Sequence, residues 1–170
     1  MTINVNSIYE QFDKVSRDFS EKPALIYLGM KYSFSQLREV TENLAANLHR
    51  MGVSKGDRAV LYLPNCPQWV MAWLALQCIG AVTVPISPIY TPIDLEYMAN
   101  DSGSETLFCL DTNFGYVAQV LPETRLKRVI VTNVAELLPW NWGLHRVSMR
   151  SQTVLAPSLF SIRVLTNVLK

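Results

Sequence analysis

The 170-residue chain has few of the side chains that build metal sites or disulfide frameworks. Its three cysteines, Cys66, Cys78 and Cys109, are widely spaced and form no C-x-x-C pair. Its two histidines, His49 and His145, are too few for a zinc-type ligand set. We therefore predict no metal site, and three thiols that behave as small buried side chains in a reducing cytosol.

The chain also has little charge of either sign. Fifteen basic and fourteen acidic residues give a net charge of +1, and 49% of the residues are hydrophobic. This balance excludes intrinsic disorder and provides no field that would attract nucleic acid. Trp69 and Trp73 lie four residues apart without interleaved basic residues, which favours core anchors over a base-stacking platform. We predict a globular domain that binds no nucleic acid.

A long uncharged stretch covers residues 59–93 without predicting a membrane span. Prolines enter and leave it, and its uninterrupted part, residues 68–84, is shorter than the roughly 20 apolar residues that a spanning helix needs. We predict a buried helix followed by a buried strand.

The N-terminus has no apolar run of seven and carries Glu10, Asp13 and Lys14, so no secretory signal is predicted. The expected location is the cytoplasm, with peripheral membrane association left open.

Motifs that bind phosphate or supply a nucleophile are missing. The sequence has no G-x-x-x-x-G-K-[ST], no G-x-G-x-x-G and no G-x-S-x-G. The segment GVSKGDR (52–58) follows a predicted helix and precedes a strand, so it is interpreted as a cap and a turn. Glu39 and Glu42 are interpreted as a solvated helix face, and His49 as a complement to the helix dipole. We assign no catalytic, cofactor-binding or metal residue.

Regular elements are clear over most of the chain. Apolar residues at Leu37, Val40, Leu44, Leu48 and Met51 predict a helix. Ser33 with Gln36, and Thr91 with Asp94, are typical of helix N-caps. Helices and strands then alternate to about residue 132, and the strands AVTV, TLFCL and RVIV are almost wholly apolar. The predicted fold is a doubly wound α/β domain with a largely parallel sheet.

The C-terminal segment differs in charge from the rest. Residues 137–170 contain no acidic residue and carry a charge of +4, against −3 for residues 1–136. We predict a domain over residues 1–140 and an atypical basic tail over 141–170, out of frame or disordered. An amphipathic helix over residues 158–170 is predicted within this tail.

Six short segments occur in an order that is typical of one enzyme superfamily. They are GVSKGDR (52–58), LPNCP (63–67), GAVTVP (80–85), PIY (88–90), LEY (95–97) and NDS (100–102). With them, residues 5–140 resemble the N-terminal part of the adenylate-forming (AMP-binding) superfamily. Within it, the chain resembles the acyl-CoA synthetases, and LKRVIVTNVAELLPW (126–140) resembles the long-chain fatty-acid–CoA ligases.

The resemblance implies a two-step reaction for the intact enzymes. A fatty acid reacts with ATP and Mg²⁺ to give acyl-AMP and pyrophosphate, and coenzyme A then takes the acyl group. The family uses a Ser/Thr/Gly-rich loop, an acidic residue for the ribose and a lysine in a C-terminal domain, none of which matches this sequence. We therefore expect the chain alone to bind no cofactor and to expose an apolar face.

Two functions remain open from the sequence. In the first, the chain is the N-terminal fragment of a fatty acyl-CoA ligase, cut short by a frameshift or early stop, and is inactive alone. In the second, it is a non-catalytic module that binds a full-length homologue or the missing remainder of the enzyme. An aryl-acid ligase or a peptide-synthetase adenylation domain stays possible within the family.

Overall fold

The computed structural model describes residues 7–134 and the backbone of residues 153–155 and 161–166. The helices are α1 (Ile8–Asp18), α2 (Phe34–Arg50), α3 (Pro67–Ile79), α4 (Pro92–Ser102) and α5 (Phe114–Val120). The strands are β1 (Pro23–Tyr27), β2 (Met30–Ser33), β3 (Arg58–Tyr62), β4 (Val82–Ile86), β5 (Thr106–Leu110), β6 (Arg128–Thr132), β7 (Thr153–Leu155) and β8 (Ser161–Thr166). Short 3₁₀ turns cover Asp111–Asn113 and Leu121–Glu123.

Local capping signals set where the helices begin. The Ser33 hydroxyl accepts from the backbone N–H of Gln36, and the Gln36 side chain accepts from the backbone N–H of Ser33. Thr91 and Asp94 form the same reciprocal pair at α4. Each pair satisfies two backbone donors that a helix start leaves free. Both predicted caps are confirmed.

Four adjacent parallel strands form one side of a six-stranded sheet. The strand order is β4-β3-β5-β6-β8-β7, with β4, β3, β5 and β6 parallel and with β8 and β7 antiparallel to their neighbours. Each connection between parallel strands contains a helix, as such connections require. The predicted doubly wound α/β domain with a largely parallel sheet is confirmed.

The sheet has an apolar core on each face. Ala59 and Leu61 of β3 point into a cluster beneath α2 and α3, whereas Val60 and Tyr62 point into a second cluster beneath α4 and α5. All four side chains are fully buried. Because alternate residues of a strand face opposite sides, a strand covered on both faces must be apolar throughout. This explains the continuous apolar runs in the sequence.

The hairpin β1–β2 and helix α1 cover the outer side of the α2–α3 layer. A third cluster, centred on Tyr32, Leu37, Met71 and Leu74, joins these elements. The hairpin strands pair antiparallel and do not extend the main sheet. This layer therefore lies outside the two cores that surround the main sheet.

The uncharged stretch at residues 59–93 folds into β3, α3, β4 and the loop after β4. The predicted buried helix is confirmed as α3 (Pro67–Ile79). The predicted buried strand is wrong, because β4 (Val82–Ile86) is an edge strand in which only Ile86 is buried and Val82 is 49% exposed. Among the residues that the structure describes, no helix is long and apolar enough to cross a membrane.

The helix predicted over residues 158–170 is wrong where the structure describes it. Residues 161–166 form β8, which pairs antiparallel with β6. Ile162, Val164 and Thr166 are β-branched, and the free edge of β6 provides hydrogen-bond partners that override the helical spacing. The rest of the predicted helix lies outside the described residues, and the boundary between residues 140 and 141 stays a prediction.

Candidate functional site

The carboxyl ends of the four parallel strands lie along one edge of the sheet. Open α/β sheets bind their ligands at this edge, in the loops that follow the strands. Here those loops begin after Tyr62, Ile86, Leu110 and Thr132. This carboxyl edge is therefore the candidate functional site of the described residues.

Tyr62, the last residue of β3, fixes the loop that follows β4. Its hydroxyl donates a hydrogen bond of 2.7 Å to the carbonyl oxygen of Tyr90, and the carbonyl oxygen of Pro88 lies 3.3 Å away. Asn113 Nδ2 donates to the same Pro88 carbonyl at 3.2 Å. Burial raises the pKa of the Tyr62 hydroxyl, so it stays a donor at neutral pH. The loop is thus held from the end of β3 and from the turn that follows β5.

A second set of hydrogen bonds joins the loops after β5 and β6. The Asn133 side-chain amide donates to the Asp111 carboxylate. Gln68 Nε2, at the start of α3, donates to the backbone carbonyl of Asn133 at 3.0 Å. These polar side chains directly follow strands or open a helix, and that placement is the sequence signal by which they could have been found. They position the edge without forming an acid–base pair.

A small cavity lies beside this edge, between α2, α3 and the sheet. Its volume is about 20 Å³, and its lining is apolar apart from Gln68 and Thr132. The Gln68 Oε1 atom is buried without a hydrogen-bond partner among the described residues. Such a volume accommodates about one water molecule, whereas small-molecule sites are usually more than tenfold larger. The cavity is too small for a nucleotide or an acyl chain.

The elements that form most of this edge carry charge of one sign. Residues 59–124 contain no Lys, Arg or His and six acidic residues, namely Asp94, Glu96, Asp101, Glu105, Asp111 and Glu123. Phosphate groups are bound by cations and by backbone N–H groups at helix starts. This part of the chain therefore provides no cation for a nucleotide.

The Gly52–Gly56 segment lies at the opposite, amino edge of the sheet. The backbone N–H of Gly52 donates to His49, and that of Gly56 donates to the carbonyl oxygen of Gly80 at 2.9 Å. Both glycines have a φ of 84°. Because these donors are used within the fold, the segment is a cap and a turn, as predicted.

The other side chains considered from the sequence have structural surroundings. His49 is exposed in the last turn of α2, and Glu42 forms an ion pair with Arg38 at 3.9 Å. Trp69 and Trp73 are half-buried and stacked, with ring centroids 6.0 Å apart, and pack against the core. Each finding agrees with the structural interpretation. His145 lies outside the described residues.

The prediction that all three cysteines are buried is wrong for one of them. Cys66 and Cys109 are buried, but Cys78 is exposed on α3. A helix that is apolar nearly all round still has an outer side, and Cys78 lies there. Within residues 7–134, no group of three or more His, Cys, Asp or Glu side chains is placed to hold a metal ion.

Large apolar side chains are exposed at the carboxyl edge. They are Ile89 and Tyr90 in the loop after β4, Ile93 and Tyr97 on α4, and Tyr116 on α5, and we call this group the carboxyl-edge surface. Ile89 is 84% exposed and Ile93 is 79% exposed. Other large apolar side chains are exposed elsewhere in the described residues, namely Ile8, Val15, Phe19, Ile26, Leu28 and Val82.

Comparison with known proteins identifies the family to which this chain belongs. A sequence profile described as "AMP-binding enzyme" matches residues 12–156. The chain belongs to this family. The resemblance inferred from the six short segments is thereby confirmed.

Relatives within the AMP-binding family are longer than this chain. The long-chain-fatty-acid–CoA ligase of Salmonella typhimurium is 31% identical over 134 residues, which cover 78% of this chain and 24% of the relative. The corresponding ligase of Bacillus subtilis is 31% identical over 122 residues, covering 72% and 22%. The chain thus spans about a quarter of the length of these relatives.

A solved structure shows the same arrangement. A long-chain-fatty-acid-CoA ligase (FadD1) from Archaeoglobus fulgidus superposes with a TM-score of 0.70 at 29% identity. The superposition covers 77% of this chain and 28% of that protein. The parallel sheet described above corresponds to the N-terminal subdomain of adenylate-forming enzymes.

Proposed function

We propose that this chain forms the N-terminal part of a fatty acyl-CoA ligase. The observation that carries the proposal is the 31% identity to long-chain ligases over 78% of the chain. The intact enzyme would use ATP and Mg²⁺ to convert a fatty acid to acyl-AMP and pyrophosphate, and would then transfer the acyl group to coenzyme A. The chain would supply one α/β layer of that enzyme.

The chemistry of the carboxyl edge supports a structural role for this part. Acyl transfer through an adenylate needs preorganised donors and cations around the phosphates. Residues 59–124 provide no cation, and the cavity beside Gln68 holds about one water. The phosphate-binding groups would therefore come from the remainder of the ligase.

Pyrophosphate exchange tests this proposal. The purified 170-residue chain is incubated with ATP, Mg²⁺, labelled pyrophosphate and fatty acids of short, medium and long chain. We expect no exchange above background from the chain alone. We expect fatty-acid-dependent acyl-CoA formation when the chain is co-expressed with a ligase relative from which the matching N-terminal quarter has been removed. Exchange by the chain alone would overturn the structural role.

A second candidate is a non-catalytic module that binds a full-length homologue. The exposed apolar side chains of the carboxyl-edge surface favour it, because they are available for a partner. Co-expression with a tagged full-length ligase tests this function. Stoichiometric co-purification with the full-length ligase would support this second function. If the chain assembles with the shortened ligase but does not co-purify with the full-length ligase, the first candidate is favoured.

A further inference from the structure

Strand β6 has a neighbour from the C-terminal part of the chain on one of its two sides. Strand β5 pairs with one side of β6, and β8 pairs with the other side in the opposite direction. The register joins residues 128–131 to residues 163–166. The profile of the AMP-binding family matches residues 12–156, so β8 lies beyond the matched part. The second neighbour of β6 is therefore a segment that the family match does not include.

The sequence of β6 makes an open edge at this strand unfavourable. Val129, Ile130 and Val131 are consecutive β-branched apolar residues, and all three are buried. A strand at an open edge offers unpaired backbone N–H and C=O groups to any other strand. Short uncharged segments of β-branched residues are typical of those that self-associate through such groups. Pairing with β8 gives the backbone groups on this side of β6 partners within the same chain.

The two strands at the edges of the six-stranded sheet are poor templates for pairing. Strand β7, at one edge, has only three residues. Strand β4, at the other edge, contains Pro85, which has no backbone N–H to donate. Short edge strands and prolines are features by which natural sheets prevent edge-to-edge pairing. Separating β8 from β6 would therefore replace a protected edge with an unprotected one.

We propose that β7 and β8 form an intramolecular cover for the edge of β6, which prevents this strand from pairing with a second copy of the chain. Strand β8 occupies the backbone groups of β6, and the short strand β7 then forms the edge of the sheet. This cover acts within one chain and goes beyond the proposed function. It holds whether or not the chain is part of a ligase.

Hydrogen exchange in the full chain, followed by mass spectrometry, tests the cover. Val164→Pro combined with Leu165→Pro removes two successive backbone donors of β8, and one of them points towards β6 because N–H groups alternate along a strand. Val168→Pro combined with Leu169→Pro changes the same two residue types beyond the end of β8 and is the matched control. We expect exchange in residues 128–132 to become at least about tenfold faster in the first variant and to stay unchanged in the control.

Two further readings separate loss of the cover from unfolding of the sheet. Residues 58–62 form β3, which is paired on both sides by β4 and β5, so their exchange should stay slow in both variants. Light scattering over a range of concentrations measures self-association. We expect the apparent mass to rise with concentration more steeply in the variant of residues 164 and 165 than in the control, because an open edge of β6 pairs with another chain.

Three outcomes would overturn the cover. The first is rapid exchange of residues 161–166 in the unchanged chain, a measurement that needs no variant. The second is equal exchange of residues 128–132 in the two proline variants. The third is a dimer of the unchanged chain that the variant of residues 164 and 165 dissociates, because the strand on β6 would then come from a second copy. Fatty-acid activation enters none of these measurements, so failure of the proposed function leaves the cover intact.

Discussion

Arg128 and Gly52 join the start of β6 to the end of α2. Arg128 Nη2 donates a hydrogen bond of 3.1 Å to the carbonyl oxygen of Gly52, and its Nε donates one of 2.9 Å to that of Met51. The last carbonyls of a helix have no partner within the helix and carry its negative end. A half-buried guanidinium therefore satisfies them and complements the dipole, and it connects two elements that are distant in the chain.

Replacing Arg128 should destabilise the fold. Arg128→Ala removes these two hydrogen bonds, a third to the Thr106 hydroxyl and an ion pair with Glu105, and it leaves two carbonyls partly buried. We therefore expect the free energy of unfolding to fall by about 2 kcal/mol. Urea unfolding followed by circular dichroism measures the change. Arg125→Ala, at an exposed position three residues earlier, is the control and should change stability by less than about 0.5 kcal/mol. Equal effects of the two substitutions would contradict the role of Arg128.

Arg58 holds the end of α4 in a similar way at the start of β3. Its Nε donates to the carbonyl oxygen of Ser102 at 3.1 Å, and its Nη2 donates to that of Gly103 at 3.0 Å. Because Arg58 is more exposed than Arg128, water replaces these hydrogen bonds more easily. We expect Arg58→Ala to cost about 1 kcal/mol in the same urea experiment. If Arg58→Ala lowered the free energy of unfolding more than Arg128→Ala does, the exposure of the arginine would not explain which substitution costs more.

The starts of the helices could be predicted from the sequence, but the arginines that bind the C-terminal ends of α2 and α4 could not. Ser33 and Gln36 are three residues apart, so their reciprocal cap is a local signal that a sequence pattern contains. Arg128 reaches Gly52 only because parallel strands place every helix end at the amino edge of the sheet. That relation depends on strand order, which local spacing does not specify.

The carboxyl-edge contacts were missed for a similar reason. Tyr62 lies in a run of apolar residues and has no local polar partner in the sequence. Its acceptors, Pro88 and Tyr90, follow the neighbouring strand and become close only when β3 and β4 pair. Likewise, the apolar residues of segment 158–170 have a helical spacing, but residues 161–166 form a strand because they pair with the free edge of β6. Tertiary pairing therefore decides both cases.

The accessibility of the thiols separates Cys78 from the other cysteines. Cys78 is exposed, whereas Cys66 and Cys109 are buried. A thiol-specific disulfide reagent should therefore modify about one thiol per chain rapidly in the native protein, and the others only in denaturant. Absorbance of the released thiolate measures the number. Cys78→Ser should remove the rapid phase, and a rapid phase that persists in this variant would contradict the assignment.

Stability should fall at alkaline pH because of Cys109. Burial raises the pKa of the Cys109 thiol to about 12, whereas the thiol in the unfolded chain titrates near 9. Above pH 9 the unfolded state binds fewer protons than the folded state, so the free energy of unfolding decreases as pH rises. The slope that one thiol contributes approaches about 1.4 kcal/mol per pH unit as its unfolded form becomes fully ionised, about one pH unit above pH 9.

Urea unfolding between pH 9 and 10 tests this dependence before most tyrosines titrate. Cys109→Ala should reduce the slope with pH, whatever its effect on stability at neutral pH. Burial also raises the pKa of the Cys66 thiol and of the Tyr32 and Tyr62 hydroxyls, so part of the dependence should remain in the variant. An unchanged slope in Cys109→Ala would show that the buried thiol does not cause the alkaline loss.

The Tyr62 hydroxyl should be required for the order of the loop after β4. Tyr62→Phe preserves the buried ring and removes the donor to Tyr90, so we expect a loss of about 1–2 kcal/mol in the free energy of unfolding. Amide hydrogen exchange should become faster at residues 89–91. Tyr116→Phe, at an exposed ring, is the matched control.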